Sequence, residues 1–377
     1  MIVRLRTTAR HAGIALLVLA AGPLLPAGVL AGGTAADPVA ALPGATEPAS
    51  LAGYDVYFGE LHAHCEFSDG TGSAAGAYWS GRAAGLDFFT LSDHHNMIAP
   101  WEWAATQAAA DAADEPGAFV ALAAYEFGWW YHINVFAPPC LLRPPDTQGG
   151  GRETVAADED VVAALPGAMG MFNHPTWSET GDFDDFAGLT PERDAAMELI
   201  EVYNHGDGDA EWYEPSYVKC LDAGWHVMPT AVGDTHYVDW DTEVMPYEMR
   251  TALLAPELTR AALYDAVRSH RGYATLDPDL RISFTVNGAV MGSRVARTAR
   301  VLVGVQVDDP DVMVAGDAIE RLDLVGAGGS VLASAEVSGH KVAWSVVLRR
   351  PASDWVYLRV TTGDGATAWT APVWLED

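Results

Sequence analysis

Short apolar runs alternate with helical patterns along the first two thirds of the chain, starting near Tyr54. Segments such as "WEWAATQAAADAA" carry the helical period, and the apolar runs between them read as strands. Strands that alternate with helices pair in parallel, so the pattern predicts an α/β fold, for which a barrel is the natural closure. The predicted strands are "VYFGELHAH", "LDFFTLSDHH", "AFVALAAYEF", "HINVFAPP", "AMGMFNHP", "MELIEVYN" and "WHVMPTAVGDTH".

The helical period disappears from about Arg281 onward. The remaining apolar runs are short and are separated by Gly, Asp and Pro turns, which is typical of a small all-β sandwich. The stretch before Tyr54 is rich in Pro, Ala and Gly and reads as a linker. The predicted organisation is a signal peptide over 1–36, a linker over 37–53, an α/β barrel over 54–277 and a β-sandwich over 278–377.

The first 36 residues have the composition of a secretory signal peptide. Their only acidic or basic residues are Arg4, Arg6 and Arg10, an apolar run covers 12–30, and small residues over 31–36 offer cleavage positions. The sequence therefore predicts a secreted or periplasmic protein with no membrane attachment after cleavage. An uncleaved membrane anchor is the alternative, because the apolar run approaches the length that spans a bilayer.

The charge of the chain limits its binding partners, and its cysteine content limits its disulfides. The chain has 21 Lys and Arg against 51 Asp and Glu, a net charge of −30, which repels phosphate backbones and excludes nucleic acid as a partner for a basic face. With three cysteines at least one thiol is unpaired, and a disulfide between Cys140 and Cys220 is an open alternative. Cys65 is out of phase with the neighbouring histidines, which predicts a small core residue.

Metal-binding residue types collect at the ends of the predicted strands, where parallel α/β folds build their sites. His62 and His64 are two positions apart and therefore face the same side of a strand, as does Glu60. Asp234 shares that spacing with the histidine that ends "GDTH". Glu126 lies in an otherwise apolar run, where a buried carboxylate is costly without a cation or several donors.

The full candidate set has more donors than one ion needs. A tetrahedral zinc site takes four ligands, whereas this set suits two or three divalent ions that share a carboxylate. Imidazole with carboxylate fits Zn, Mn or Fe, and the sequence does not choose among them. His95 and His205 lie beside the set and are candidates for proton transfer or for contact with a substrate oxygen. The predicted ligands are His62, His64, Asp69, His94, Glu126, His132, His174, Asp234 and His236.

These stretches resemble the metal-binding motifs of the PHP (polymerase and histidinol phosphatase) superfamily. The resemblance is carried by "ELHAHCEFSDG", "LSDHH", "YEFG", "NHP" and "GDTH". The opening "FGELHAH", the compact "EFGWWYHINVF" and the closing "AWTAPVWLE" most resemble the exported branch that includes carbaryl hydrolase-type metallohydrolases. The resemblance covers about residues 54–275 and implies a distorted (β/α)7 TIM-like barrel with two or three metal ions.

By motif, the resemblance also implies how the ligands divide. One ion would be held by His62, His64, Glu126 and Asp234. A second would be held by Glu126, His132 and His174, which makes Glu126 the bridge, and a third by Asp69, His94 and His236. Two features depart from the family pattern. Only six positions separate Glu126 from His132, and Glu60 stands where an Asp is usual.

The implied function is hydrolysis of a small-molecule ester, with a phosphoester as the first candidate. A hydroxide held between two ions would attack the ester, and the ions would stabilise the attacked and leaving oxygens. A carboxylester or carbamate substrate is the alternative on the same site. The chain contains neither the GxSxG motif of serine hydrolases nor the GxxxxGK[ST] motif of P-loop enzymes. Both classes of enzyme therefore lack their basic motif in this sequence. An alternative of another class is a non-catalytic protein that binds metal or glycan; the oligomeric state is left open.

Overall fold

The computed structural model describes residues 53–129, 131–142, 152–176, 182–205, 211–237, 248–312 and 316–377. All of these residues belong to one compact unit. The predicted signal peptide and nearly all of the predicted linker lie outside the described residues. No helix within the described part of the chain is both long enough and apolar enough to cross a bilayer.

The chain up to Thr275 forms a mixed α/β fold around one large sheet with few helices. Its strands are β1 (Asp55–Glu60), β2 (Phe88–Leu91), β3 (Val120–Phe127), β4 (Ile133–Phe136), β5 (Met169–Phe172), β6 (Met197–Asn204), β7 (Glu211–Trp212), β8 (Met228–Val232), β9 (Arg250–Ala255) and β10 (Gly272–Thr275). Its helices are α1 (Ala74–Ala83), α2 (Pro100–Ala113), α3 (Arg152–Ala163), α4 (Pro191–Asp194), α5 (Glu214–Asp222) and α6 (Arg260–Arg268).

The strands of this sheet follow the order β10-β9-β1-β2-β3-β4-β5-β6-β8, and β7 also pairs with β6. Pairing is parallel from β1 to β3 and again from β5 through β6 to β8. A side chain connects strand β8 to β9. The Thr251 hydroxyl donates to the Ala231 carbonyl at 3.1 Å and accepts from the Ala231 N–H at 3.2 Å. The number of barrel strands implied by the family resemblance stays a prediction.

Strand β4 corrects the expectation that the strands run parallel. It is antiparallel to both β3 and β5, because only five residues connect it to β3, too few for a crossover helix. The turn requires Gly128, whose φ is +124° and where a Cβ would lie 1.8 Å from the Tyr131 carbonyl oxygen. The reversed direction puts His132, just before β4, beside the end of β3.

The two faces of the sheet pack into different cores. One face packs against side chains of the helices, including Tyr78 of α1 and Trp103 of α2. The opposite face forms a second apolar core, which also takes in residues of the C-terminal strands. Every second side chain of β1, β3 and β6 points toward this second core. The buried carboxylates of Glu60, Glu126 and Glu201 fall on the same alternate positions and therefore share that face. These three acids lie in the carboxyl-terminal halves of their strands.

After Arg281, the regular elements of the described chain are strands, apart from one 3-10 turn at Ala327–Gly329. One sheet has the order β12-β11-β14-β17, and the other strands pair around β15 and β18. Strand β19 pairs with β10, so the second set continues the large sheet. The domain boundary at 277 stays a prediction. The strands are β11 (Arg281–Val286), β12 (Ala289–Val290), β13 (Arg294–Ala296), β14 (Arg300–Asp308), β15 (Ile319–Gly326), β16 (Ser330–Gly339), β17 (Lys341–Arg349), β18 (Trp355–Thr362), β19 (Thr367–Thr370) and β20 (Val373–Glu376).

Candidate metal centre

The segments that follow β1 and β8 pair in a register that aligns two donor pairs. Ala63 forms a parallel bridge with Thr235, and the His64 N–H donates to the Thr235 carbonyl at 2.8 Å. Ala63 lies between His62 and His64, and Thr235 lies between Asp234 and His236. Because side chains alternate along extended backbone, the residues on either side of each bridge partner point to one side. The register therefore brings both pairs together.

Four donors converge where these segments meet β3. His62 Nε2 and His64 Nε2 are 3.2 Å apart, and each is 3.4 Å from Glu126 Oε2. Asp234 Oδ1 lies 3.2 Å from His62 Nε2 and 3.0 Å from His64 Nε2. Zn ligands at 2.0–2.2 Å in a tetrahedron are separated by roughly 3.4 Å. The spacing of these atoms therefore matches the first predicted ligand set.

The second oxygen of the Glu126 carboxylate faces a different pair of imidazoles. Glu126 Oε1 lies 2.9 Å from His132 Nδ1 and 3.2 Å from His174 Nε2. Asn173 donates to the same oxygen at 2.9 Å and so fixes the orientation of the carboxylate. His132 reaches this position because β4 is antiparallel, and His174 adopts a left-handed backbone with φ of 28° just after β5. The second predicted set thus surrounds Oε1.

Asp69 is the centre of the third group. Its Oδ1 lies 3.3 Å from His236 Nε2 and 3.9 Å from His64 Nδ1, and its Oδ2 lies 3.5 Å from His94 Nε2. His94 Nδ1 is also 3.0 Å from Glu126 Oε2, so this imidazole lies between the first and third groups. The Asp69 side chain is 43% exposed, whereas that of Glu126 is 1% exposed. The third group is thus the side of the centre nearer to solvent.

Mutual charge in the cluster changes the protonation of its members. Burial opposes a charge on His62, but Asp234 and Glu126 outweigh it and raise its pKa well above the usual value. The same balance, with Glu126 and Asp69 as partners, raises the pKa of His94 to about 10. Burial favours a neutral Glu126, yet the surrounding imidazoles lower its pKa well below the usual range. Without a cation, protons on the histidines compensate the carboxylates; convergent imidazole and carboxylate donors fit divalent Zn, Mn or Fe in their place.

Glu201 supports the centre and is absent from the sequence-based ligand set. It is fully buried, and its Oε1 accepts a hydrogen bond from His62 Nδ1 at 2.7 Å. Its Oε2 accepts from the His174 N–H at 2.6 Å and from Asn204 Nδ2 at 2.9 Å. The signal was available in the sequence, because Glu201 is an acid inside an apolar strand, as Glu126 is.

Glu60 shares the inward face but meets backbone, not the cluster. Its carboxylate accepts from the N–H groups of Leu61 at 2.9 Å, His62 at 2.7 Å and Gly233 at 2.9 Å. Burial raises its pKa to about 8, although these three donors favour the charged form. Glu60 thereby ties the end of β1 to the residue that follows β8.

Asp93 holds the loop that carries Asp69. It accepts from the Cys65 N–H at 2.9 Å and from the Ser68 hydroxyl at 2.6 Å, and the Cys65 thiol lies 3.0 Å from its other oxygen. Cys65 is buried, as its position out of phase with His64 predicted. The alternative of a disulfide between the other two cysteines is wrong, because all three are free.

The structure places the two candidate catalytic histidines differently. His95 is 4% exposed, and its Nδ1 lies 3.2 Å from the Glu126 carbonyl oxygen and 3.4 Å from the Gly128 nitrogen. Burial lowers its pKa to about 4. His95 is thus buried beside the Glu126 backbone, and its role in proton transfer or substrate contact stays a prediction. His205 stands at the end of β6, where its N–H donates to the Val232 carbonyl at 3.1 Å, and its role in proton transfer stays a prediction.

No protein-family model matches the chain. Over 139 residues the chain is 28% identical to an uncharacterised protein of Chlamydia pneumoniae; the match spans 33% of this chain and 22% of the length of that protein.

Among solved structures, three show a partial likeness to the chain. A two-domain protein of Bacteroides vulgatus containing a predicted PHP-like metal-dependent phosphoesterase has 17% identity and a TM-score of 0.45, over 85% of this chain and 96% of its own. A candidate metal-dependent phosphoesterase of Bifidobacterium adolescentis has 14% identity and a TM-score of 0.33, over 48% of this chain and 88% of its own. An amidohydrolase of Chromobacterium violaceum, with bound sulfate and no metal, has 16% identity and a TM-score of 0.32, over 48% of this chain and 87% of its own. At these values no activity transfers to this chain.

Proposed function

We propose that the chain is a multinuclear metal-dependent hydrolase that acts on ester bonds of a small molecule. The observation that carries the proposal is the position of Glu126. One of its carboxylate oxygens lies among His62, His64 and Asp234, and the other lies between His132 and His174. A buried carboxylate with imidazoles at both oxygens is the arrangement of a bridging ligand between two ions.

The ligands of such a site would have different roles. Divalent ions would lower the pKa of a bound water and polarise an ester oxygen. Glu126 and His62, both almost fully buried, would fix the ions in place and keep bulk water away from the inner side. Asp69 with His94 and His236 forms the more exposed side, and the substrate would approach from there.

A phosphoester is the first candidate substrate, because the motifs resemble the PHP superfamily. Basic side chains around the motifs have partners of their own. Arg82 pairs with Glu115 at 2.5 Å, and Lys219 pairs with Asp182. The buried Arg250, beside the end of β1, donates to the Met249 carbonyl at 2.8 Å. A phosphate group would therefore depend on the metal ions for its charge compensation. This favours a diester over a multiply charged monoester, and it keeps a carboxylester or carbamate as the second candidate.

An assay against four ester classes tests the proposal. Purified protein with a measured metal content is incubated with a bis-aryl phosphate, an aryl phosphate, an aryl carboxylester and an aryl carbamate. The bis-aryl phosphate is expected to be hydrolysed fastest, and Glu126→Gln is expected to lose about 100-fold or more of that rate. Glu192→Gln, at an exposed position on α4, is the matched control and keeps the wild-type rate.

Bound metal with no hydrolysis of any ester would contradict the enzyme proposal. It would favour the alternative of a non-catalytic metal- or glycan-binding protein. A faster rate with the carboxylester or carbamate would keep the hydrolase and change its substrate class.

We also propose that the protein is exported, on the basis of the arginine-containing apolar segment over 1–36. Sequencing the N-terminus of protein recovered outside the cytoplasm tests this. A mature N-terminus within or just after 31–36 supports export, and an intact Met1 contradicts cleavage.

A further inference from the structure

Large apolar side chains are exposed on the chain segments that carry the predicted metal ligands. Tyr237, which directly follows His236, is 47% exposed, and Trp129, in the turn between β3 and β4, is 42% exposed. Met97, three positions after His94, is 50% exposed. Each of these side chains lies within three positions of a predicted ligand, so its backbone is within about 10 Å of that ligand.

Backbone contacts hold these segments side by side. Thr71, in the loop after β1, donates its N–H to the His236 carbonyl at 2.7 Å. The Gly128 nitrogen, at the start of the turn after β3, lies 3.4 Å from His95 Nδ1. The loop after β1 is thereby joined to the segment after β8, and the turn after β3 is joined to the segment after β2.

An aromatic pair belongs to the same surroundings. The ring centroids of Phe67 and Trp101 are 5.9 Å apart and their planes make an angle of 75°, which is an edge-to-face contact. Phe67 lies two positions before Asp69, and Trp101, at the start of α2, is 66% exposed. We call the apolar rim the set Phe67, Met97, Trp101, Trp129 and Tyr237.

The rim lies in a part of the chain that has almost no positive side chains. Arg82 is the only Lys or Arg from residue 54 to residue 142, a stretch that contains six of the nine predicted ligands. Arg82 lies in the last turn of α1, at the end of that helix away from the loop after β1. Glu66 and Asp69 are exposed within this loop. The net charge of −30 adds a long-range attraction for cations.

Exposed aromatic rings beside negative side chains are the surroundings that a quaternary ammonium group prefers. The negative face of each ring attracts the cation, and its methyl groups pack on the apolar surface. Such a group carries no N–H, so it needs no hydrogen-bond acceptor. A neutral aryl group would use the apolar surface of the rim and leave the negative charge without a partner.

We propose that the substrate is a phosphodiester in which one alcohol carries a quaternary ammonium group, and that the apolar rim binds this group. The proposal rests on the proposed hydrolase function and names its substrate class. The substrate has one negative charge, for which the ions would compensate, and one positive charge, which matches the rim. In the reaction, water adds to phosphorus, the bond from phosphorus to one alcohol oxygen breaks, and that alcohol leaves with a proton.

Two diesters that differ in one atom test the proposal. The first is 4-nitrophenyl phosphocholine, and in the second, 4-nitrophenyl 3,3-dimethylbutyl phosphate, carbon replaces the charged nitrogen. The metal-loaded wild type is expected to show a kcat/KM about 10-fold higher for the quaternary compound. Trp129→Leu and Tyr237→Leu should each lower this ratio, because leucine keeps apolar surface and lacks the ring. Trp79→Leu, in the middle of α1 and 72% exposed, is the matched control and should keep the ratio.

A binding measurement separates this proposal from the proposed function. Calorimetry of the metal-loaded protein with phosphocholine and with 3,3-dimethylbutyl phosphate is expected to show about 10-fold tighter binding of the quaternary compound. If this preference is present and neither diester is hydrolysed, the hydrolase function is contradicted and the binding role of the rim is supported. Ratios near one in both rate and affinity would overturn the quaternary substrate. Ratios that stay at the wild-type value in both rim variants would overturn the role of the rim.

Discussion

The Glu201 carboxylate accepts a hydrogen bond from His62 Nδ1 at 2.7 Å, and both side chains are fully buried. A carboxylate can only accept, so Nδ1 keeps its proton when the imidazole is neutral, and Nε2, which faces Glu126 and Asp234, is then the atom free to bind an ion. The other oxygen of Glu201 accepts a hydrogen bond from the His174 backbone N–H at 2.6 Å. One acid outside the predicted ligand set thus orients a ligand from each of two predicted ion sites.

Replacing Glu201 by Gln should weaken metal binding about 10- to 100-fold. An amide cannot accept at both ends, so its NH₂ group would face either His62 Nδ1 or the donors of His174 and Asn204. Competition with a chelating dye measures the affinity, and Glu192→Gln is the control. Wild-type affinity in Glu201→Gln would contradict the orienting role.

Metal binding should release protons. The pKa of His94 is raised to about 10 and that of His62 is raised well above its usual value, so both carry a proton at pH 7 in the metal-free protein. A ligating imidazole must be neutral, and affinity should therefore increase as the pH rises between about 6 and 8. Calorimetry in two buffers of different ionisation enthalpy counts the protons. A binding heat that does not depend on the buffer would contradict this balance.

Gly128→Ala should destabilise the fold and displace His132. The new Cβ would lie 1.8 Å from the Tyr131 carbonyl oxygen, in addition to the strain of φ at +124°. Gly117→Ala is the matched control, because φ is +84° there and nothing lies within 4 Å of the added Cβ. Strain of this kind costs about 1–3 kcal/mol, so urea unfolding should show a loss for Gly128→Ala that exceeds the loss for Gly117→Ala. Equal losses of unfolding free energy would mean that the close approach at Gly128 does not determine the stability of the hairpin of β3 and β4.

One of the three thiols should react with Ellman's reagent in the native protein. Cys140 is exposed, whereas Cys65 and Cys220 are buried, and burial raises the pKa of both buried thiols. All three should react after denaturation without a reductant. A single reactive thiol in the denatured protein would instead mean that a disulfide forms.

Much of the centre could be predicted because strand geometry is local. The spacing of two within "HAH" and "GDTH" fixes which side chains share a face, and the bridge of Ala63 with Thr235 then aligns the two pairs. The buried acid in "YEFG" could be read from its apolar surroundings. The positions of the nine donors relative to one another depend on how all the strands of the sheet pair, and local spacing does not give them.

The sequence did not predict features that depend on distant chain segments. The antiparallel direction of β4 follows from a short turn, and the predicted βα alternation concealed it. His95 follows His94 directly, yet the bridge between His94 and Glu126 turns the two rings to different environments. Glu201 could be recognised as an acid inside an apolar strand, but its contact with His62 depends on where β6 lies in the sheet.

The metal content of Glu126→Gln tests the central claim most directly. Plasma mass spectrometry of wild type, Glu126→Gln and Glu192→Gln, each saturated with the same divalent ion and desalted, gives the number of ions per chain. A bridging Glu126 predicts at least two ions in the wild type and the control, and the loss of at least one ion in Glu126→Gln. An unchanged number of ions in a folded Glu126→Gln would contradict the bridge.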